Sequence, residues 1–179
     1  MSDLMDAIRQ RRSIRHFENR PVTDEELHLL LEAVRWAPSW ANTQCWEVVV
    51  VKSAEVKAQL QACLSRNPAT NSVVQAPVVL VLCARMGSSG FYKEQVTTKF
   101  GDWMMYDLGL ANQNLCLAAH SLGLGTVIVG LFDHDKARAA LGLPAGYEVV
   151  TMVPVGRPAK VGGAPNRREA ADFTHYDRW

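Results

Sequence analysis

Val78-Val79-Leu80-Val81-Leu82-Cys83, entered from Pro77, is an unbroken apolar run and reads as the central strand of a sheet. Working outward, Trp46-Glu47-Val48-Val49-Val50-Val51 is β-branched, too short for a helix, and fits a buried strand. Between the two runs Ser53 can cap a helix carrying Val56, Leu60 and Leu64, which Asn67-Pro68 breaks. Residues 126–129 and 149–155 read as further strands. A short helix over 135–141 separates them and stops at Gly142 and Pro144.

The helices carry clearer signals. Residues 3–12 form a short amphipathic pattern with Leu4, Ala7, Ile8 and Arg11 on one face. Thr23-Asp24-Glu25-Glu26 is a capping box, with Thr at N-cap and Glu at N3, followed by Leu27, Leu30, Leu31 and Val34 at helical spacing. That helix must stop before Pro38, because proline pushes the preceding residue out of helical geometry. The longest helix spans 103–122, with Met104, Leu108, Ala111, Leu115, Ala118 and Leu122 on an apolar stripe and Gly123 at its left-handed end. Such breadth implies burial on most sides. Residues 85–99, with Gly87-Ser88-Ser89-Gly90 at their middle, read as a mobile loop or lid. The element order fits either a parallel α/β fold or a mixed α+β sheet, and periodicity does not separate them.

At 179 residues, 48% hydrophobic and 21% charged, the chain is long enough for one domain, 1–179, with a substantial core. Residues 157–179 look like a C-terminal arm that buries little against its own domain and suits an embrace of a partner subunit. A net charge of +1 argues against a nucleic-acid binder. No segment approaches the length of a membrane span, and Met1-Ser2-Asp3 starts acidic, so a cytoplasmic location is expected. Cys45, Cys63, Cys83 and Cys116 form no CxxC pair, and the five histidines form no HExxH. Neither a metal site nor a disulfide framework is expected. No GxGxxG follows a strand and no GxxxxGK[ST] is present, so standard dinucleotide and P-loop signals are absent.

The basic run Arg11-Arg12-Ser13-Ile14-Arg15 gathers guanidiniums at the expected end of the first helix. Arginine forks suit phosphate oxygens, and Ser13 adds a neutral donor. The bland alternative is a solvated cluster favouring the carbonyl end of the helix dipole, and taken alone the run favours it.

Four segments in order change that balance. They are Arg11-Arg12-Ser13-Ile14-Arg15-His16-Phe17, residues 37–46 (Ala-Pro-Ser-Trp-Ala-Asn-Thr-Gln-Cys-Trp), Gly123-Leu124-Gly125-Thr126-Val127-Ile128-Val129-Gly130, and Val153-Pro154-Val155-Gly156-Arg157-Pro158. Together they resemble the nitroreductase family of FMN-dependent oxidoreductases. The resemblance implies an α+β fold with a mixed central sheet flanked by helices, in an intertwined homodimer with FMN at the subunit interface. It implies FMN contacts from Arg11, Arg12, Ser13 and Arg15, and from Pro38, Ser39 and Asn42 of the other subunit. Val129 and Gly130 would bring backbone N–H groups to the flavin N5 edge, while Gly156, Arg157 and Arg167 or Arg168 would complete the phosphate contacts.

The chemistry then belongs to the flavin, with no side-chain acid or base required. NADH or NADPH is the implied hydride donor, and a nitroaromatic, quinone or similar small molecule the acceptor, in a ping-pong cycle. Trp40 and Phe91 are candidates for the substrate pocket, and helix 103–122 for the dimer core. Pro38-Ser39 could instead merely end a helix, and Gly123 and Gly125 are read as structural. Cys45 stands where many members have proline, and with nothing adjacent to activate it is read as inert packing. Competing functions are a flavin dehalogenase or FMN-cleaving enzyme, a flavin-storage or redox-sensing protein without turnover, and a nucleotide-phosphate module without flavin.

Overall fold

A strand buried on both sides needs two covering layers, and residues 78–84 receive them. In the computed structural model, which describes residues 4–179, β1 (Trp46–Val51), β2 (Val78–Arg85), β5 (Gly125–Thr126) and β6 (Tyr147–Gly156) form a sheet in the order β1-β2-β6-β5. Even-numbered β2 residues Val78, Leu80 and Leu82 join Leu30, Val34, Leu108, Leu115 and Val153 in one core. Odd-numbered Val79, Val81 and Cys83 join Val51, Leu60, Val73, Ala137 and Met152 in a second core on the opposite face. The first core lies under α2 (Asp24–Arg35) and α5 (Met104–Ser121). The second lies under α3 (Ala54–Ala62), α4 (Thr70–Gln75) and α6 (His134–Leu141).

The architecture is α+β, as the family resemblance implied, but the sheet within one chain is not mixed. All three strand pairs are antiparallel, and the parallel relation is confined to a single bridge between Ser13 and Thr126. An antiparallel sheet usually announces itself by alternating polar and apolar residues. Helices on both faces erase that alternation here, which is why the β2 run could not distinguish the two topologies.

Local signals hold well for the helices. Thr23 Oγ1 accepts the Glu26 N–H at 3.1 Å, and Glu26 Oε2 accepts the Thr23 N–H at 3.0 Å, closing the capping box of α2. Ser53 caps α3, Asp133 caps α6, and Gly142 ends α6 at φ 63°. Helix α4 carries no such signal: Ala69 at its start makes no side-chain cap. Buried Lys57 instead reaches from α3 to donate to the Ala76 carbonyl at 2.8 Å just past its end.

One face of α5, carrying Leu108, Ala111, Leu115 and Ala119, is buried against its own sheet and α2, while Met105 and Tyr106 are exposed on the helix. Two expectations change. The 85–99 segment is not a free lid. It contains a hairpin, β3 (Phe91–Tyr92) with β4 (Gln95–Val96), turned at Lys93 and Glu94 and held at its base by buried Ser89. The strand expected over 126–129 shrinks to Gly125–Thr126 plus an isolated bridge between Val129 and Met152. Helix α1 (Leu4–Gln10) covers most of the expected 3–12 pattern, while its expected start at Asp3, like the acidic Met1-Ser2-Asp3, lies outside the described residues. Residues 159–179 are exposed throughout, with only a short 3-10 turn at Ala170–Asp172. Among the described residues no helix is long and apolar enough to cross a membrane.

Gly156 shows how tightly β6 ends. A Cβ there would lie 2.6 Å from Pro77 Cδ and 3.1 Å from Phe17 Cδ1. The proline ring cannot swing away, so Gly156→Ala is expected to destabilise the protein by about 1–3 kcal/mol in urea unfolding. Gly163→Ala, with open space around it, is expected to leave the midpoint unchanged.

Candidate functional site

The arginine cluster starts at the end of α1, where Arg12 donates to the last carbonyls, and continues beyond it. Helix α1 closes with the Arg11 N–H on the Ala7 carbonyl at 3.0 Å, and the chain then runs extended along the sheet margin. The Ile14 N–H donates to Thr126 O at 2.8 Å, the Ala159 N–H to His16 O at 2.9 Å, and the Glu18 N–H to Arg157 O at 2.9 Å. Extended backbone alternates its side chains, so Ile14 is buried while Ser13 and Arg15 face outward. Gly125 makes this approach possible, since a Cβ there would fall 2.5 Å from Ile14 Cγ1. Ser72 Oγ of α4 donates to the Arg15 carbonyl at 3.0 Å and fixes the ribbon from the other side.

Arg11, Arg12, Ser13 and Arg15 line a cavity of about 210 Å³ together with Arg167, Gly162, Gly163 and Pro165. Four arginines line it, and no aspartate or glutamate does. The Arg11 Nε is buried and has no hydrogen-bond partner among the described residues, which a bound anion would satisfy. Arg12 carries part of the helix-end role, donating from Nη1 to the Arg11 carbonyl at 2.8 Å and to that of Arg9. Arg167 donates to Pro165 O at 2.9 Å, within the stretch of the arm that lines the cavity.

A second group forms where α2 ends. Ser39 Oγ accepts the Gln44 N–H at 2.9 Å, and Ala41, Asn42 and Gln44 all adopt positive φ. Asn42 and Gln44 line a separate cavity of about 240 Å³ with Arg35, Trp36 and Ala37. This cavity shares no lining residue with the arginine cavity. Pro38 is exposed and Trp40 half-buried beside it in sequence, whereas Phe91 lies half-buried on the hairpin and lines neither cavity.

Several expected cofactor contacts are otherwise engaged. Arg157 forms an ion pair with Glu26 and donates to the Leu122 carbonyl at 2.8 Å, so its guanidinium serves the ends of α2 and α5 rather than the arginine cavity. Gly156 is packed under Pro77 and Phe17, a steric role. Arg168 donates to the Asp172 carbonyl and lies over the Phe173 ring, leaving Arg167 as the tail arginine at the cavity. The Val129 N–H is taken by Met152 O at 2.9 Å, so it is not free for a ligand. Exposed Gly130, with open space where a Cβ would be, remains.

Sequence reading missed Asp107, which is fully buried on α5 and accepts hydrogen bonds from the Trp40 N–H at 3.0 Å and Ser89 Oγ at 2.6 Å. The signal was present: Asp107 stands on the apolar stripe, three residues after Met104 and four before Ala111. Cys45 touches the same carboxylate. Burial, then the nearby Asp107 charge, pushes its thiol up to about 12, so it stays protonated at neutral pH and is inert.

The fold is α+β and carries an arginine-lined cavity at the sheet margin. The profile of the nitroreductase family matches residues 8–73 and 65–157, so the chain belongs to the nitroreductase family. It is 32% identical to an FMN reductase (NAD(P)H) of Bacillus subtilis, over 100% of this chain and 75% of that protein. It is 31% identical to an NADPH-flavin oxidoreductase of Vibrio harveyi, over 100% of this chain and 75% of that protein. The solved structure of an FMN-dependent nitroreductase from Clostridium difficile superposes with a TM-score of 0.83 at 23% identity, covering 98% of this chain and 99% of that one.

The Glu26–Arg157 pair carries a pH signature. Burial alone would raise the Glu26 carboxyl, but the Thr23 N–H and the Arg157 guanidinium hold it below its ordinary value. Its contribution is therefore complete above the ordinary glutamate range and is lost as pH falls through the lowered value. Between pH 6 and pH 3 the wild-type melting temperature is expected to fall further than that of Glu26→Gln. Parallel melting curves over that interval would contradict this account.

Proposed function

We propose that this chain passes hydride from NADH or NADPH to a nitroaromatic, quinone or similar acceptor by a ping-pong cycle, working as a homodimer. Membership of the nitroreductase family makes it an FMN-dependent NAD(P)H oxidoreductase. Bound FMN supplies the hydride chemistry at its N5 atom. What the chain's own residues contribute is binding, orientation and access.

The observation that carries this reading is the cavity lined by Arg11, Arg12, Arg15 and Arg167 without a carboxylate, with the buried Arg11 Nε lacking an acceptor among the described residues. A phosphate monoester supplies acceptors for these donors, and Ser13 adds a hydroxyl. Asn42 lines the second cavity and Pro38 and Ser39 precede it in the same loop, and the absence of any shared lining residue between the two cavities suits a cofactor held between two chains. The arm points the same way, since Phe173, Tyr176 and Trp179 are exposed large aromatics that a partner subunit would cover. Gly130 leaves room near the ring system, and Trp40 and Phe91 are placed on the two segments that would shape the acceptor pocket. The reading treats 1–179 as a single nitroreductase-like domain.

The purified protein is expected to be yellow, to bleach anaerobically with NADH or NADPH, and to recover colour when a nitroaromatic is added. A preparation that neither nucleotide bleaches would overturn the mechanism. Each charge-assisted contact contributes about 1.5–3 kcal/mol, so Arg11→Ala with Arg15→Ala is expected to weaken FMN binding by about a hundredfold or more. It should also erase the preference for FMN over riboflavin. Light scattering at micromolar concentration is expected to report a dimer.

A further inference from the structure

Residues 39–44 form a strained loop. Ala41, Asn42 and Gln44 have φ of 45°, 54° and 47°, a region that costs a non-glycine residue about 1–2 kcal/mol each. Such a loop persists only where its surroundings over-determine it. Its own bonds, Asn42 N–H to Ser39 O at 3.1 Å, Thr43 N–H to Trp40 O at 3.0 Å and Gln44 N–H to Ser39 Oγ at 2.9 Å, all close within the loop. They shape it but do not place it. Among the described residues, the hydrogen bond that leaves the loop is the Trp40 N–H to Asp107 Oδ1 at 3.0 Å.

Asp107 is held as firmly on its other side. Oδ2 accepts from Ser89 Oγ at 2.6 Å and lies 3.6 Å from the Cys45 thiol. Ser89 is itself fully buried, and its carbonyl accepts the Trp103 N–H at 3.0 Å, which locks it to the start of α5. The next residue, Gly90, sits so close to the chain that a Cβ would lie 2.5 Å from Gly101 O. Its carbonyl accepts the Thr97 N–H at 2.9 Å across the base of the β3–β4 hairpin. A fully buried carboxylate bonded only to neutral donors is costly, and both oxygens here are spent on joining two surface segments.

We infer that Asp107 is a positioning residue: through the Trp40 N–H and Ser89 Oγ it fixes residues 39–44 in the conformation that meets the flavin and ties that loop to the hairpin bearing Phe91. This rests on the reading of Pro38, Ser39 and Asn42 as flavin contacts. Because those residues do not line the arginine cavity of the same chain, losing the clamp weakens the grip on the flavin without touching the grip on its phosphate.

The test titrates apo-protein with FMN and with riboflavin in wild type and variants, following flavin fluorescence. Asp107→Ala is expected to raise both Kd values by about tenfold, the equivalent of one hydrogen bond to a charged group, and to leave their ratio unchanged. Asp107→Asn keeps an acceptor for the Trp40 N–H and is expected to stay within about threefold of wild type. Asp107→Leu, similar in shape without an acceptor, replaces the alanine variant if that fails to fold. Ala140→Gly, which weakens the C-terminal end of α6 on the second core and lines neither cavity, is expected to lower the melting temperature with both Kd values unchanged. The inference is overturned if folded Asp107→Ala or Asp107→Leu binds both flavins as wild type does, if Asp107→Asn is as weak as alanine, or if Ala140→Gly gives the same rise. A loss confined to FMN would also overturn it by placing the effect in the arginine cavity. A wild type that binds neither flavin is a different result, since it removes the proposed function itself.

Discussion

Residues 78–84 are dry on both sides, and the layout of the molecule follows from that requirement. Each fully buried Val or Leu of β2 is worth about 1.5–3 kcal/mol, but only if something apolar meets it on its own face of the sheet. Alternation sends Leu80 and Leu82 toward α2 and α5 and sends Val79 and Val81 toward α3, α4 and α6. One strand thus organises two cores. The elements that carry the candidate site are all attached to these two layers: the arginine ribbon to the sheet margin and α4, the Ser39–Gln44 loop to the end of α2, and Asp107 to the first turn of α5.

The arginine cavity depends on that frame through a few close contacts. Ile14 enters the interior against Gly125, and the alternation of the extended chain then turns Ser13 and Arg15 outward. The same geometry separates arginines that look equivalent in sequence. Arg12 turns back to carbonyls of α1 and Arg157 to Glu26 and the Leu122 carbonyl through their Nη atoms, and among the described residues the buried Nε of Arg11, like that of Arg157, has no acceptor. A buried donor without a partner is costly in a free protein and useful in one that binds an anion.

How much was legible depended on the range of each signal. The capping box at Thr23 and Glu26, the Ser53 cap and the end of α6 at Gly142 depend on residues a few positions apart, and they stand where the sequence puts them. Helix α4 escaped because it has no side-chain cap and only six residues, and it is held by Lys57 and Ser72 reaching across the fold. The Arg11–Arg15 ribbon, the Pro38–Asn42 loop and Gly130 could be singled out in the chain. The diversion of Arg157, the engagement of the Val129 N–H and the packing of Gly156 could not, because each involves a partner distant in sequence. Asp107 was visible only as one carboxylate on an apolar stripe, with nothing nearby to say what it bonds.

By itself the sequence determined the apolar runs that become β1 and β2, the capped helices around them, the family, and a concentration of arginine near residue 11, since these depend on composition, spacing and short-range sterics. The tertiary structure decided that the sheet is antiparallel, which arginines face one cavity, and that a buried aspartate holds a strained loop. Those outcomes depend on contacts between segments far apart in the chain, as between Glu26 and Arg157, 131 residues from one another. Such contacts exist only after the two cores have closed around β2.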